Sequence, residues 1–154
     1  MQKISPFLWF DTQAEEAAKY YVALFENSKM GKVTYYGKDM PMPEGTVLTA
    51  TFVIEGQDFT ALNGGPHATF TDAVSFSVAC ETQAEIDHYW ETMISDGGKA
   101  IQCGWLKDKF GLSWQIVPAR ISELLAPPDP AKAHRAVQAM MKMTKLDIET
   151  LRNA

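Results

Sequence analysis

A small set of side chains in this sequence has the types and positions that ligand binding would use. Gln115 carries an amide that can read a ligand oxygen or amide, and Trp105 and Trp114 offer flat apolar walls for a planar molecule. Asn63 precedes two glycines, so its amide could orient a ligand, although Asn-Gly-Gly is also typical of a simple turn. Cys103 is a further candidate contact, but with no His nearby in sequence a buried thiol is favoured over a nucleophile. For Gln115 the alternative is a structural bond to a neighbouring strand, and for the tryptophans a place in the core.

The histidines and cysteines do not form a recognisable ligand pattern. His67, His88 and His134 fall in a predicted loop, a helix and the C-terminal tail, with no close ligand spacing among them. Surface or capping roles are therefore expected for all three. Cys80 and Cys103 are too few for a disulfide framework and do not form a Cys-x-x-Cys pair. The spacing of these residues predicts no metal centre.

The elements that would position these side chains are indicated by an internal repeat. Residues 12–15 read Thr-Gln-Ala-Glu, and residues 82–85 read the same, seventy positions further along. Each copy follows an apolar strand-like run that ends in an acidic residue and opens an amphipathic helical pattern. Thr followed three residues later by Glu is the capping box, so two unrelated helices could converge on it. The matching context favours one module used twice.

Periodicity extends the repeat beyond the helices, which are predicted at 12–25 and 82–96. In the first half, strands are predicted at 7–10, 32–36, 46–54 and 59–62, which is a βαβββ order. In the second half, strands are predicted at 74–79, 100–106 and 112–117, and the repeat assigns this half the same βαβββ order. On the last strand Ser113, Gln115 and Val117 share one face, and Asp108 is placed at a solvated hairpin tip. After residue 118 we predict a short helix at 121–126, a Pro-rich linker, a helix at 131–143 and a last amphipathic segment. This tail is expected to cover an edge or a second subunit.

Composition and charge exclude several classes of partner. The chain has 154 residues, 46% of them hydrophobic and 21% charged, which is typical of one globular domain with a sizeable core. The net charge is −5 and basic residues are not clustered, which argues against nucleic acid or an anionic membrane as the main partner. The N-terminal residues do not fit a secretory signal and no apolar run is long enough to span a bilayer. We expect a cytoplasmic protein.

Four segments resemble one known family. Residues 103–118, Cys-Gly-Trp-Leu-Lys-Asp-Lys-Phe-Gly-Leu-Ser-Trp-Gln-Ile-Val-Pro, closely resemble the C-terminal signature of the PhnB-like branch of the vicinal oxygen chelate superfamily. Residues 62–66, 85–90 and 145–148 match the same branch. The resemblance implies an α+β fold in which two βαβββ modules form a cupped half-barrel sheet, frequently in a homodimer. The expected organisation is one domain over 1–118, with modules 1–70 and 71–118, and a helical tail over 119–154 that packs on the domain or on a second subunit.

The resemblance also implies where a metal would bind. In the metal enzymes of this superfamily, four inward-facing His or Glu side chains hold a divalent ion, and matching the strands places those positions near Ile4, Thr60, Val74 and Gln115. Ile and Val cannot ligate, Thr is a poor ligand and Gln is a weak neutral donor. No metal ligand or cofactor is therefore predicted, although a divalent metal held by displaced ligands stays open. Thr60 joins Asn63, Cys103, Trp105 and Gln115 as a candidate ligand contact.

The label 3-demethylubiquinone-9 3-methyltransferase is often attached to this branch. Methyl transfer from S-adenosylmethionine normally uses a nucleotide pocket with a Gly-rich turn between a strand and a helix. Gly64 and Gly65 instead run into Pro66 with no helix pattern behind them. The sequence therefore does not favour the methyltransferase reading.

Two functions from different classes remain compatible with the sequence. The first is a protein that binds a small organic molecule in the cup of the sheet without the usual metal, because strong ligands are absent at the four implied positions. The second is a divalent-metal-dependent lyase, isomerase or dioxygenase that uses displaced ligands. Whether the chain is an enzyme is open between them.

Overall fold

Two compact units, each opening with a βαβββ module, make up the protein. The computed structural model describes residues 2–154; one unit extends to Thr69 and the other runs from Phe70 to Ala154. Each module contains one four-stranded mixed sheet and one helix, and the second continues into three further helices. The predicted fold class, α+β with two βαβββ modules and a C-terminal helical tail, is confirmed.

The first unit has a sheet in the order β1-β4-β3-β2. β1 pairs with β4 in parallel, and the other pairings are antiparallel. Glu55 and Gly56 form the tight turn between β3 and β4. A two-residue hairpin turn of this kind needs positive φ at both central residues, and their φ angles are 47° and 80°. The elements are β1 (Phe7–Phe10), α1 (Ala14–Leu24), β2 (Lys29–Tyr35), β3 (Val47–Ile54) and β4 (Gln57–Asn63).

The core of the first unit lies between α1 and one face of its sheet. The helix turns Ala14, Ala17, Ala18, Tyr21 and Leu24 inward, and all five are buried. On β3 buried and half-buried residues alternate, with Ala50, Phe52 and Ile54 buried. Tyr21 stacks on Phe52 with ring centroids 6.1 Å apart, and Phe52 stacks on Phe59 at 5.3 Å. Small alanines on the helix and aromatic rings on the sheet therefore form a densely packed layer.

The two identical tetrapeptides cap their helices differently, which corrects the expectation of a capping box in both copies. At α1 the N-cap is Gln13, which makes no side-chain cap bond. The N–H of Ala14 instead donates to Oδ1 of Asn63, 2.8 Å away at the end of β4. In the second copy Thr82 is the N-cap of the next helix and accepts from the N–H of Glu85 at 3.2 Å. A tertiary contact thus replaces the local cap in the first module.

The second unit repeats the topology with the sheet order β5-β8-β7-β6, in which β5 and β8 are parallel. Helix α2 buries Ile86, Trp90 and Met93, and β8 buries Trp114 and Ile116, so both elements contribute to one core. The elements are β5 (Ser75–Cys80), α2 (Gln83–Ser95), β6 (Lys99–Ala100), β7 (Trp105–Lys107), β8 (Ser113–Pro118), α3 (Ile121–Leu125), α4 (Pro130–Met141) and α5 (Ile148–Arg152).

The strand predicted at 100–106 is wrong, because residues 101–104 form a turn that separates β6 from β7. Cys103 and Gly104 have φ of 58° and 84°, values that no strand residue adopts. Their N–H groups donate to the carbonyl oxygens of Met143 and Thr144, at 2.9 and 2.8 Å. The break is therefore fixed by the C-terminal tail, which lies forty residues away in sequence.

The prediction that Asp108 lies at a solvated hairpin tip is also wrong. Its side chain is 4% exposed. One carboxylate oxygen accepts from the N–H groups of Phe110 and Leu112, and the other accepts from Nε1 of Trp114 at 2.9 Å. Asp108 thus ties the β7–β8 turn to the core tryptophan, which explains why a charged group is buried there.

The tail is fastened to α2 by a group of contacts that we call the tail clasp. The amide of Gln83 donates to the carbonyl of Leu146 at 3.0 Å and accepts from the N–H of Ile148 at 2.9 Å. Beside it, Nζ of Lys145 lies 2.7 Å from Asp87 and 3.6 Å from Glu91. Leu146 is fully buried in this unit. The tail is therefore part of the second unit's core.

Within residues 2–154, none of the helices is long and apolar enough to cross a membrane.

The different caps of α1 and α2 predict different effects when the threonine of each tetrapeptide is replaced by alanine. Thr82→Ala should lower the free energy of unfolding by about 1 kcal/mol, since it removes a real N-cap bond. Thr12→Ala should change it by less than about 0.5 kcal/mol, because Thr12 is exposed and does not cap α1. Asn63→Ala should cost about 2 to 4 kcal/mol, since the buried N–H of Ala14 loses its acceptor and the carbonyl of Val47 loses a donor. Urea unfolding curves measure all three, and equal losses for the two threonines would contradict these assignments.

The tail clasp should depend on pH. Hydrogen bonds from Lys145 and then Gln83 lower the pKa of Asp87 below its ordinary 3.8, and the bond to Asp87 raises the pKa of Lys145 above 10.5. A lowered carboxyl pKa stabilises the fold above 3.8, and that contribution is lost as the pH falls through the folded value. Because the pKa of Lys145 is raised, this lysine stabilises the fold below pH 10.5, and its contribution to stability is lost as the pH rises through the folded pKa.

Thermal midpoints measured against pH test this clasp. Wild type should melt above Asp87→Asn at pH 7, and the difference should shrink on acidification below about pH 4. Glu44→Gln, in an exposed loop of the first unit, serves as the control and should show no such pH-dependent difference. A constant gap between wild type and Asp87→Asn at every pH would show that the clasp is not electrostatic.

Candidate functional site

Gln115 and Trp105 lie side by side on the second sheet, on the face turned away from α2. They are register partners in the antiparallel pair β7–β8, and Ser77 of β5 is the partner of Gln115 on the other side. Residues directly opposite one another point to the same face of a sheet. Trp114 points to the other face, towards α2, and is 3% exposed. The local structure thus brings together two of the sequence-predicted contacts.

The side chain of Gln115 is held in place while keeping capacity for a ligand. Its Nε2 donates to Oγ of Ser75 at 3.0 Å, and the residue is half-buried. An amide has two N–H donors and an oxygen with two lone pairs. One bond therefore leaves the oxygen and the second hydrogen for a ligand. The predicted structural bond to a neighbouring strand exists, and it is compatible with a binding role.

A charged pair borders this face. Nζ of Lys107 lies 3.4 Å from Asp72, which also accepts from Oγ of Ser113 at 2.7 Å. The hydroxyl of Ser113, and then Lys107, lower the pKa of Asp72, so its carboxylate stays charged at neutral pH. Ser113 lies on the predicted face with Gln115, but it is fully buried. Its hydroxyl serves Asp72 rather than a ligand.

Cys103 does not share the face of Gln115 and Trp105. It lies half-buried in the turn before β7, where its backbone N–H donates to the carbonyl of Met143. The other cysteine, Cys80, is buried, and burial raises the pKa of its thiol to about 12. A ligand contact by Cys103 stays a prediction.

In the first unit, Thr60 lies on the sheet face turned away from α1. It is the register partner of Phe7 on β1 and of Thr51 on β3. Thr60 is half-buried, and Phe7 is 61% exposed. This face thus presents a hydroxyl beside an aromatic ring, which suits contact with an organic molecule. The role of Thr60 stays a prediction.

Asn63 is committed to structural bonds. Its Oδ1 caps α1 at Ala14, and its Nδ2 donates to the carbonyl of Val47 at 3.1 Å. Its backbone carbonyl accepts from the hydroxyl of Tyr36 at 2.6 Å. The residue is 5% exposed. These contacts give Asn63 a structural task, and its predicted ligand contact would have to compete with them.

The two glycines after Asn63 accommodate a tryptophan. A Cβ on Gly64 would collide with the indole ring of Trp9, and Nε1 of Trp9 donates to the carbonyl of Gly65 at 2.9 Å. No helix follows these glycines. A nucleotide-binding turn would place free backbone N–H groups at a helix start. The segment does not fit S-adenosylmethionine, and no methyl-transfer step is derived from it.

The residues at the four implied metal positions do not fit a divalent ion. Ile4 and Val74 precede β1 and β5 and are largely exposed, while Thr60 and Gln115 lie within strands. Within residues 2–154, His, Cys, Asp and Glu side chains form no group of three or more that could hold a metal.

Sequence reasoning missed a second site in the same unit. A cleft of about 500 Å³ opens where β5 and β8 end, and residues of α3 and α5 line it. The sequence carries one signal for it: two of the three arginines, Arg120 and Arg152, line this cleft, and all three follow the second sheet. Only folding shows that residues so far apart in sequence meet.

Comparison with known proteins identifies the family. The family model described as 3-demethylubiquinone-9 3-methyltransferase matches residues 2–117. The chain belongs to this family. The PhnB protein from Bacillus cereus is 38% identical, with a TM-score of 0.69, over 77% of this chain and 100% of that chain. The predicted membership of the PhnB-like branch of the vicinal oxygen chelate superfamily is confirmed.

More distant solved structures share the fold of this PhnB-like chain. A protein from Pseudomonas aeruginosa is 20% identical with a TM-score of 0.61, over 75% of this chain and 96% of that one. A fosfomycin resistance protein from Listeria monocytogenes, complexed with Mn(II) and sulfate, is 12% identical with a TM-score of 0.52, over 80% and 95% of the two chains. At these identities the likeness shows the fold alone. No curated protein sequence matches the chain.

The close approach of Gly64 and Trp9 predicts a specific pattern of destabilisation. Gly64→Ala should lower the free energy of unfolding by about 1 to 3 kcal/mol, because the added methyl overpacks the indole. Gly37→Ala is the matched control, since its nearest neighbour would be Sδ of Met40 at an ordinary 3.5 Å. Denaturant curves in a Trp9→Leu background should show a much smaller loss for Gly64→Ala. An equal loss of stability in both backgrounds would show that the cost of Gly64→Ala does not come from contact with the Trp9 indole.

Proposed function

We propose that this PhnB-like protein binds a small organic molecule on the sheet face that carries Gln115 and Trp105, without the metal that is usual in the superfamily. The observation that carries the proposal is the pairing of these two residues in register. An anchored amide beside an indole combines a directional polar contact with a flat apolar one. Ligand sites in proteins are usually built from such a small number of polar groups among apolar walls.

The charges at the border of this face narrow the class of ligand. Lys107 and Asp72 form an exposed pair, so the site offers both signs at its edge and neither in excess. A neutral planar molecule with a carbonyl or amide, such as an aromatic ketone or lactam, would stack on Trp105 and accept or donate at Gln115. In the first unit Thr60 and Phe7 present a similar hydroxyl and ring, and we propose Thr60 as a further contact.

The second candidate function, a divalent-metal lyase, isomerase or dioxygenase, rests on the shared fold. The Listeria fosfomycin resistance protein holds Mn(II) on this fold. In the present chain apolar or weakly donating residues stand at the implied positions, which favours the metal-free reading. We further propose that the protein acts as a homodimer in the cytoplasm.

Native mass spectrometry of protein purified without chelator tests the proposal. The expected result is a dimer that retains no tightly bound metal and carries an organic adduct. Gln115→Ala should reduce adduct occupancy about tenfold or more, the effect of one lost hydrogen bond in a desolvated site. The control Gln138→Ala removes an exposed amide on α4 and should leave the adduct in place.

A second readout covers a ligand that is lost during purification. The indole N–H signal of Trp105, assigned with Trp105→Phe, should shift in NMR titrations with aromatic ketones and amides. One tightly held Zn, Ni, Mn or Fe ion per chain would instead make the metal enzyme the leading function. Equal adduct occupancy in the Gln115 and Gln138 variants would remove Gln115 from the site.

A further inference from the structure

The cleft at the end of the second sheet follows from its strand topology. β5 ends at Cys80 and β8 at Pro118, and these residues are partners in a parallel pair. Both strands therefore end on the same side of the sheet, and the N–H of Ala119 donates to the carbonyl of Cys80 at 2.7 Å. Crevices beyond the carboxyl ends of parallel strands are frequent ligand sites. With about 500 Å³, this cleft has the size of a small-molecule site.

The tail clasp fixes one wall of the cleft. Ile148 lines the cleft, and its N–H is held by Oε1 of Gln83 at 2.9 Å. Asp147 caps the helix that follows, accepting from the N–H of Thr150 at 2.7 Å. α5 is thereby positioned with Leu151 buried and Arg152 lining the cleft. A wall that is already ordered reduces the entropy lost when a ligand binds.

The cleft carries two cations and two anions. Arg120, Arg152, Glu81 and Glu123 line it together with apolar groups that include Leu124 and Ile148. The Arg120–Glu123 pair is 3.9 Å long with both side chains more than 70% exposed, so it is weak. Arg152 forms no ion pair with acidic side chains of the described residues 2–154. Both guanidinium groups therefore have donors to offer a ligand.

The balance of positive and negative charges in the cleft indicates the chemical class of its ligand. A guanidinium group binds a carboxylate through two parallel hydrogen bonds. A polyphosphate would be repelled by Glu81 and Glu123, and an adjoining recess that shares Glu81 and Arg152 adds Asp147 and Glu149. An ammonium group, by contrast, would be attracted to these acids. The cleft thus matches a ligand with one carboxylate and one ammonium.

We propose that this cleft binds a small amino carboxylate with an apolar side chain, such as leucine. Arg120 and Arg152 hold the carboxylate, Glu81 and Glu123 attract the ammonium, and Leu124 and Ile148 contact the side chain. Apart from Glu81, the side chains assigned to the ligand lie within residues 120–152, beyond the family match at 2–117. It is separate from the face of Gln115 and Trp105, and neither proposal depends on the other.

NMR titration of the full-length, ¹⁵N-labelled protein with L-leucine tests the site. The backbone signals of Ala119 and Ile148 and the Nε–H of Arg152 should shift and saturate with a Kd of about 1 mM or tighter. The indole signal of Trp105 should stay in place. Arg152→Gln should weaken binding about tenfold or more, since it removes a charge-assisted contact. Arg135→Gln, an exposed arginine on α4 outside the cleft, should bind as wild type does.

Two analogues test the two charged groups of the ligand separately. Removing the ammonium, as in 4-methylpentanoate, or the carboxylate, as in 3-methylbutylamine, should weaken binding about tenfold or more in either case. Equal binding of 4-methylpentanoate and leucine would overturn the zwitterion assignment. Absence of shifts at Ala119 and Ile148 with excess leucine, or equal losses in the Arg152 and Arg135 variants, would overturn the site.

Discussion

Parallel pairing of the first and last strands is the constraint on which each unit depends. Two parallel neighbours cannot be joined by a tight turn, so a long connection must carry the chain back from the end of one to the start of the other. In each module this connection contains a helix and two strands, and the helix packs on one face of the sheet. The same pairing brings two carboxyl ends to one edge. The α1 cap in the first unit and the cleft in the second both lie at such an edge.

The two copies of the module show how one local sequence acquires different tasks. Asn63 and Pro118 occupy the same place, at the end of the last strand and opposite the end of the first. Asn63 caps α1 from there, and Thr82 performs that task for α2. Gln83, the counterpart of Gln13, binds the tail through its side-chain amide. The second unit thus combines a local helix cap with a docked helical extension.

Membership of the family does not by itself determine the chemistry of this chain. The match over residues 2–117 and the 38% identical PhnB protein establish the family and its fold. Chemistry depends on individual side chains, and here Gly64 accommodates the Trp9 ring while apolar residues stand at two implied metal positions. The groups that remain suited to binding are an anchored amide beside an indole, and a cleft with balanced charges.

Local signals in the sequence were sufficient for most elements and their order, but they did not separate β6 from β7. Alternation on β3, the apolar stripes of α1 and α2 and the Glu55–Gly56 turn each act within a few residues, so the βαβββ repeat could be read directly. The pairing of Gln115 with Trp105 was not predicted, although both residues lie in predicted strands joined by a short turn, and such a hairpin fixes its own register. Only the tertiary structure decided the role of Asn63, the break at Cys103, the burial of Asp108 and the meeting of Arg120 with Arg152. Each of these depends on partners brought close by strand pairing or tail docking, and such contacts leave no periodic trace in the sequence.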